Sequence, residues 1–304
     1  GIIIMNVLVI GSINTDFVVE SDILPELGET VFGKDFAMLS GGKGANQAVA
    51  AARLGANVAM IAAVGDDEMG RRETKLLKQE NIDTTGIHIK IGVPTGVAVV
   101  NVSQGDNCII VVSGANAALT VDDIRNQQDK ILAADVVLCS LEIPLECVVY
   151  ACRQAYKYGK HFILNPAPAQ DLPDELLINP TLVTPNLIEY AQIFGLPENC
   201  QAADVVHHYK QYSQENMLVT CGRHGVLYHQ HGYAQRQSGF NVNTLDSTGA
   251  GDTFNGALAA FFDMPRREAV RHATAAAALS VTRKGARNGM PFIEELKRFI
   301  QEYQ

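Results

Sequence analysis

Apolar runs, helical stripes and short alternating stretches succeed one another along this chain of 304 residues. Residues 6–10 and 58–64 are near-continuous apolar runs, the pattern of strands buried on both faces of a parallel sheet. Between and after them, 45–54 reads as a helix of small residues and 67–79 as an amphipathic helix. The alternation then becomes regular: strand 135–139, helix 145–158, strand 161–164, strand 182–184, helices 187–194 and 203–212, and strand 217–220. Such alternation predicts an α/β fold with a doubly wound, mainly parallel sheet flanked by helices. Two regions break the rhythm. Residues 17–39 are irregular, and 87–112 hold short β-type runs with turns at Gly92-Val93-Pro94 and Gly105-Asp106-Asn107. Hairpins of this kind predict a small β-sheet lid standing off the main sheet, drawn from about 15–40 and 90–113. Farther along, 226–231 and 235–240 read as a hairpin, 239–245 as a strand, 257–262 as the apolar body of a helix, and 267–282 and 292–303 as helices.

Chemistry concentrates where these elements join. The segment Asp246-Ser-Thr-Gly249-Ala250-Gly251-Asp252 enters the helix at 257–262, so its small residues sit where free backbone N–H groups point outward. An anion can approach closely there and be stabilised by the amides and the positive end of the helix dipole. Asp252 in that first turn either takes a proton from an attacking hydroxyl or simply caps the helix, and this stretch alone leaves both readings open. After the first strand stands Gly11-Ser12-Ile13-Asn14-Thr15-Asp16, which lacks the glycine pattern of a dinucleotide fold. Asn14 and Asp16 suit hydrogen bonds to sugar hydroxyls, or an Asx turn. Ser40-Gly41-Gly42-Lys43-Gly44-Ala45-Asn46-Gln47 is a Walker loop only superficially, since Lys43 precedes glycine. Its glycines favour a binding loop with Lys43 and Asn46 as polar tips. Glu142, Asn165, Asn186 and the turn Cys221-Gly222-Arg223-His224-Gly225 follow other strands. His229 and His231 fall on one predicted strand face, and without a third ligand they read as solvated surface. The basic loop from Thr282 to Arg287 either ligates a cation through its carbonyls or merely connects helices.

Bulk properties narrow the classes. A net charge of -9 gives nucleic acid no reason to bind. The six cysteines show no metal-ligand spacing and mostly sit in apolar surroundings, which predicts free thiols in a reducing cytoplasm. Gly1 to Met5 lacks a basic n-region and reads as a tag remnant before a start at Met5. No apolar run reaches the length of a membrane span.

Over nearly its whole length the chain resembles the ribokinase (PfkB-type) carbohydrate kinases. The motifs are Gly11 to Asp16, Gly41-Gly-Lys-Gly-Ala-Asn-Gln-Ala-Val-Ala50, Gly114-Ala-Asn-Ala-Ala118, Leu141-Glu-Ile-Pro144, Leu164-Asn-Pro-Ala-Pro-Ala169, Thr184-Pro-Asn186 with Glu189, and Asp246 to Asn255. The resemblance implies a single ribokinase-like domain over 5–304 and an ATP-dependent kinase acting on the 5-hydroxyl of D-ribose. Other acceptors (2-deoxyribose, a hexose, a nucleoside) and a catalytically idle sugar sensor are the alternatives. It implies that Asp252 is the general base and that Gly249, Ala250 and Gly251 form the anion hole. Asn14, Asp16, Gly42, Lys43, Asn46 and Glu142 would hold the sugar, and Asn186, Thr220, Gly222, Gly225, Gly251 and Thr274 the nucleotide. Glu189 with Asn186 would organise Mg²⁺, while Asp246, Thr248, Ser280, Arg283, Gly285 and Gly289 would form a K⁺ loop. A homodimer through the lid sheets follows by the same resemblance. Two positions depart from the pattern: Thr274 stands where a histidine near the adenine is common, and Gly289 where a serine often closes the cation site.

Overall fold

The computed structural model describes residues 3–211 and 215–303. The strands are β1 Asn6–Ile10, β2 Asn14–Glu20, β3 Asp35–Gly41, β4 Asn57–Gly65, β5 Asp83–Lys90, β6 Gly96–Ser103, β7 Asp106–Val112, β8 Val136–Cys139, β9 His161–Leu164, β10 Leu182–Val183, β11 Leu218–Thr220, β12 Val226–Gln230 and β13 Tyr233–Gln237. Six of them form the main sheet in the order β10-β9-β8-β1-β4-β5, and every pairing in it is parallel. This is the doubly wound sheet that the apolar runs predict. The chain leaves β1 toward β4 and β5, then returns to β8 on the other side of β1. The crevice between the carboxyl ends of β1 and β8 is therefore the topological switch point, where open α/β sheets bind ligands.

Helices cover both faces. Lys43–Arg53, Ala250–Ala260, Arg266–Ser280 and Ile293–Glu302 share one apolar core with the sheet, and Leu145–Lys157, Leu187–Phe194 and Ala202–Tyr209 share the other. The first two lie unusually close because their contact residues are small. A Cβ added to Gly256 would sit 2.6 Å from the Gln47 carbonyl oxygen and 2.7 Å from the Ala50 Cβ. That approach brings the first turns of the two helices side by side.

A separate four-stranded sheet has the order β3-β2-β6-β7, with β2 and β6 parallel and the outer pairs antiparallel. Its root lies at the switch point, since Asn14 pairs with Gly41 on one side and Gly96 on the other.

Several sequence expectations need correction. Residues 87–90, read with the off-sheet hairpins, end the edge strand β5 of the main sheet. Residues 239–245 form no strand: a Cβ at Gly239 would lie 2.0 Å from the Arg223 carbonyl oxygen, and the N–H groups of Leu245 and Asp246 both donate to the Val281 carbonyl. Turn and helix-end contacts thus replace strand pairing there. β11 joins β12 and β13 in an antiparallel sheet rather than the main sheet, to whose side this segment is linked by the bridges Val183–Met217 and Asn186–Thr220. His229 is buried edge-on against Tyr209, while His231 occupies a left-handed turn position, so the two do not share a strand face. The helix expected at 203–212 is Ala202–Tyr209, and the end at Tyr212 falls outside the described residues. The short helices Val121–Arg125, Gln128–Ala133 and Glu175–Ile178 carried no expectation. Five of the six cysteines are buried free thiols and Cys108 is exposed. Among the described residues no helix is long and apolar enough to cross a membrane.

Candidate active site

Asp252 is buried in the first turn of helix Ala250–Ala260, whose N-cap Gly249 has φ 80°. Its Oδ2 accepts a 3.1 Å hydrogen bond from Asn46 Nδ2 and its Oδ1 one of 3.2 Å from Gln47 Nε2. Burial pushes its carboxyl up to about 6, with the Lys43 ammonium and the Asn46 amide acting against that rise. A carboxylate so poised can accept a proton near neutral pH. Beside it, the Ala250 N–H donates to the Ser247 carbonyl, whereas the N–H groups of Gly249 and Gly251 donate to no backbone carbonyl among the described residues. A Cβ at Gly251 would meet nothing within 4 Å, so the protein leaves open space at that amide.

The facing wall is the glycine loop. Gly42 has φ 90°, and a Cβ there would lie 2.8 Å from both the Asn14 nitrogen and the Ser12 carbonyl oxygen. Gly44 is as tightly held, its added Cβ falling 2.5 Å from the Ser12 nitrogen. Only glycine lets this loop lie flat on the end of β1. Glu142, after β8, closes the switch point: its Oε1 accepts from Ser12 Oγ and from the Lys43 N–H, both at 2.8 Å. Asn14 is buried with its Oδ1 accepting 2.7 Å from Asn116 Nδ2. Asp16 packs against the Gly41 backbone, and burial pushes its carboxyl up to about 6, helped by Glu142 and Glu73 and opposed by Arg287. The structure thus gathers Asn14, Asp16, Gly42, Lys43, Asn46, Glu142 and Asp252 around one crevice.

Behind Asp252 runs a ring of polar side chains. Gln47 Nε2 also donates to Asn165 Oδ1 at 3.0 Å; Asn165 Nδ2 donates to the Thr184 carbonyl at 3.3 Å. Thr184 Oγ1 donates to Asn255 Oδ1 at 2.6 Å, and Asn255 Nδ2 returns to the Gly251 carbonyl at 2.9 Å. The ring ties the helix start to the ends of β9 and β10. Sequence reasoning noted Asn165 but passed over Gln47, Thr184 and Asn255, although all three lie inside its own motifs.

Asn186 and Glu189 form a reciprocal capping box: Asn186 Oδ1 accepts from the Glu189 N–H at 2.8 Å, and Glu189 Oε1 from the Asn186 N–H at 3.0 Å. Burial raises the Glu189 carboxyl, with the Asn186 N–H and the Lys43 charge opposing. Lys43 therefore acts on both Glu189 and Asp252. Thr220 is bridged to Asn186, and Gly222 and Gly225 hold the next turn with positive φ. Thr274 is buried, and its hydroxyl donates to the Val270 carbonyl of its own helix at 2.7 Å.

The last candidate group is a loop wrapped behind the helix start. Asp246 Oδ1 accepts from the Thr248 N–H and Oδ2 from the Gly285 N–H, at 2.9 and 2.8 Å. Burial works against its charge, yet these bonds hold its carboxyl below the usual range. A Cβ at Gly289 would come 2.3 Å from the Ser280 carbonyl oxygen and 3.6 Å from that of Arg283, so a side chain is sterically barred where the two carbonyls meet. The Arg283 guanidinium points away to Glu295 at 2.6 Å. Among the described residues no cluster of three or more His, Cys, Asp or Glu side chains forms a metal cage.

A doubly wound sheet, a switch-point crevice lined by acceptors and amides, and a buried carboxylate beside open helix N–H groups define a small-molecule kinase of the α/β class. Residues 5–293 match the family described as pfkB family carbohydrate kinase, and the chain belongs to it. It is a phosphotransferase acting on a sugar hydroxyl. The ribokinase of Haemophilus influenzae is 40% identical over 301 residues, covering 96% of this chain and 97% of that one. The ribokinase of Bacillus subtilis is 39% identical, covering 97% and 99%. Among solved structures, Arabidopsis thaliana ribokinase complexed with ribose and ATP superposes with a TM-score of 0.91 at 30% identity, covering 98% and 99%.

Proposed function

We propose that this kinase transfers the γ-phosphoryl group of ATP to the 5-hydroxyl of D-ribose. One observation carries the reading: a buried Asp252 carboxylate, held by Asn46 and Gln47, faces the crevice where Asn14, Asp16 and Glu142 offer their polar groups. A polyol needs acceptors and amides together, and this wall has both. Close likeness to ribokinases over the full chain supports ribose as the acceptor.

In this reading the acceptor hydroxyl lies against Asp252, which takes its proton as the oxygen attacks. The amides of Gly249 and Gly251, with that of Ala250 once released from Ser247, receive the charge gathering on the phosphoryl oxygens. The Lys43 charge acts on both this carboxylate and Glu189 and would balance the charge that moves across. Catalysis is then mainly positioning and electrostatic stabilisation, because a loose phosphoryl transition state asks little covalent chemistry of the protein. Mg²⁺ suits a site with few protein ligands, since it keeps most of its waters. Glu189 would be its protein partner, because Asn186 engages only one of the Glu189 oxygens. Bound there with ATP, the ion would neutralise phosphate charge. The carbonyls of Ser280 and Arg283, with the Asp246 carboxylate nearby, suit a monovalent cation such as K⁺, which would steady the loop behind the anion hole. We read the chain as a cytoplasmic homodimer joined through its four-stranded lid sheets.

The test is ADP release with MgATP and K⁺ against D-ribose, 2-deoxyribose, D-fructose and adenosine, with a no-sugar blank and a Na⁺ control. Ribose is expected to give the highest kcat/KM, and K⁺ to outperform Na⁺. A larger value for another acceptor would transfer the same chemistry to that sugar, and silence on all four would point to an idle sugar sensor.

A further inference from the structure

Arg287 lies in the basic loop, yet its side chain is only 11% exposed and reaches the opposite end of helix Lys43–Arg53. Its Nε donates to Asn46 Oδ1 at 3.1 Å and its Nη2 to the Gly41 carbonyl at 3.3 Å. Its Nη1 is 3.7 Å from Glu73 Oε2. Glu73 is fully buried; its Oε1 accepts from Thr15 Oγ1 at 3.0 Å and from Arg72 Nη1 at 2.9 Å, and its Oε2 has no hydrogen-bond partner among the described residues. The loop is anchored in turn by Arg53, whose Nη1 donates to the carbonyls of Arg287 and Met290 at 2.6 and 3.1 Å. Arg53 itself pairs with Glu80 through both Nε and Nη2.

We infer that Arg287, braced by Glu73, is a positioning residue that fixes the amide of Asn46 so that its N–H face is always turned to Asp252. The physical reason is the chemistry of the guanidinium, which carries donors and no acceptor. Facing Arg287, Asn46 must present its oxygen, and its Nδ2 is then left for the Asp252 carboxylate. Without that donor the amide is free to turn over and bring its oxygen against Asp252, which repels the ionised base and misplaces a sugar contact. Arg287 also bonds Gly41 at the root of the lid sheet, so one side chain orders both walls of the crevice. Glu73 keeps the buried cation compensated, and burial lowers the proton affinity of Arg287 where Glu73 raises it.

This inference rests on Asp252 being the base of a sugar kinase, and the experiment separates the two. Arg287→Met, Glu73→Met and the double variant are compared with wild type for melting temperature and for kcat/KM across pH. Removing one partner leaves the other buried charge less compensated, even with Arg72 still on Glu73 Oε1, whereas removing both can be nearly neutral for stability. The expected result is that each single variant melts lower, that the double variant regains most of the loss, and that Arg287→Met and the double both keep kcat/KM at least about tenfold down with the acid limb moved to higher pH. Arg287→Lys, which keeps charge without the planar fork, is expected to recover stability more than activity. A double variant with wild-type kcat/KM and an unmoved acid limb would reduce the pair to a structural role and overturn the inference. A wild-type enzyme inactive on every sugar would instead remove the kinase reading, and this inference with it.

Discussion

At the scale of single residues the site is a set of side chains whose chemistry is set by what holds them. Asp252 is surrounded by two amide donors, by the Lys43 charge and by apolar helix packing, and burial prevails: its carboxyl rises to about 6. Asp16 rises to about the same value for a similar reason, with Glu142 and Glu73 adding to burial. The sign of the pH dependence follows. A base must be ionised to accept a proton, so activity is present above the raised value and is lost as pH falls through it. We expect an acid limb in kcat/KM at about pH 6, where burial places the ionisation of both Asp252 and Asp16. A limb near pH 4 would mean that the carboxylates are solvated as ordinary surface acids. In the same assay Asp252→Asn should lower kcat by about 10²-fold or more while sugar binding by calorimetry largely survives. Unchanged turnover would remove Asp252 from the role of base.

At the scale of elements, the site exists because two helices of small residues meet almost backbone to backbone. Gly256 is the contact point, with the Gln47 carbonyl oxygen 2.6 Å from where a Cβ would be. Gly256→Val should therefore push the helix start away from Gln47 and Asn46. The expected cost is about 1–3 kcal/mol of stability from overpacking, together with a fall in kcat larger than any change in nucleotide KM. Scanning calorimetry and steady-state kinetics on the variant would check this, and an unchanged melting temperature would contradict the close approach. Much of this was legible in the residues. β1 and β9 coincide with their apolar runs, and the helix Leu187–Phe194 coincides with its stripe, because burial and local periodicity agree there. Residues 239–245 were misread because their course is decided by contacts with Arg223 and Val281, far apart in sequence. Arg287 and Glu73 went unnoticed for a related reason: an arginine in a basic loop and a glutamate on an amphipathic helix look like solvated surface until the fold buries them together. Gln47 carried a signal, its place in the glycine motif, but nothing in a linear pattern says which side chain there turns inward.

For the molecule as a whole, the four-stranded sheet is the part whose exposure asks for a partner. Every residue of β7 is exposed, with Ile109 at 53%, Ile110 at 63% and Val111 at 55%, and Phe36 on β3 is 59% exposed. An edge strand this long and apolar is a template for association unless it is covered. The same sheet is rooted at the site, because Asn14, Asp16 and Gly41 lie where β2 and β3 join the crevice. Pairing of two lid sheets would cover the apolar residues and also hold the sugar contacts against twisting of the sheet. Ile110→Lys places a charge in the middle of that strand and leaves the main core untouched. By sedimentation equilibrium the wild-type chain should be a dimer and the variant a monomer. The variant should keep its melting temperature within a few degrees and show a raised KM for sugar with a smaller change in the KM for ATP. A wild-type chain that stays monomeric at tens of micromolar would show that β7 is shielded in some other way, and a monomeric variant with unaltered sugar KM would separate association from the ordering of the acceptor site.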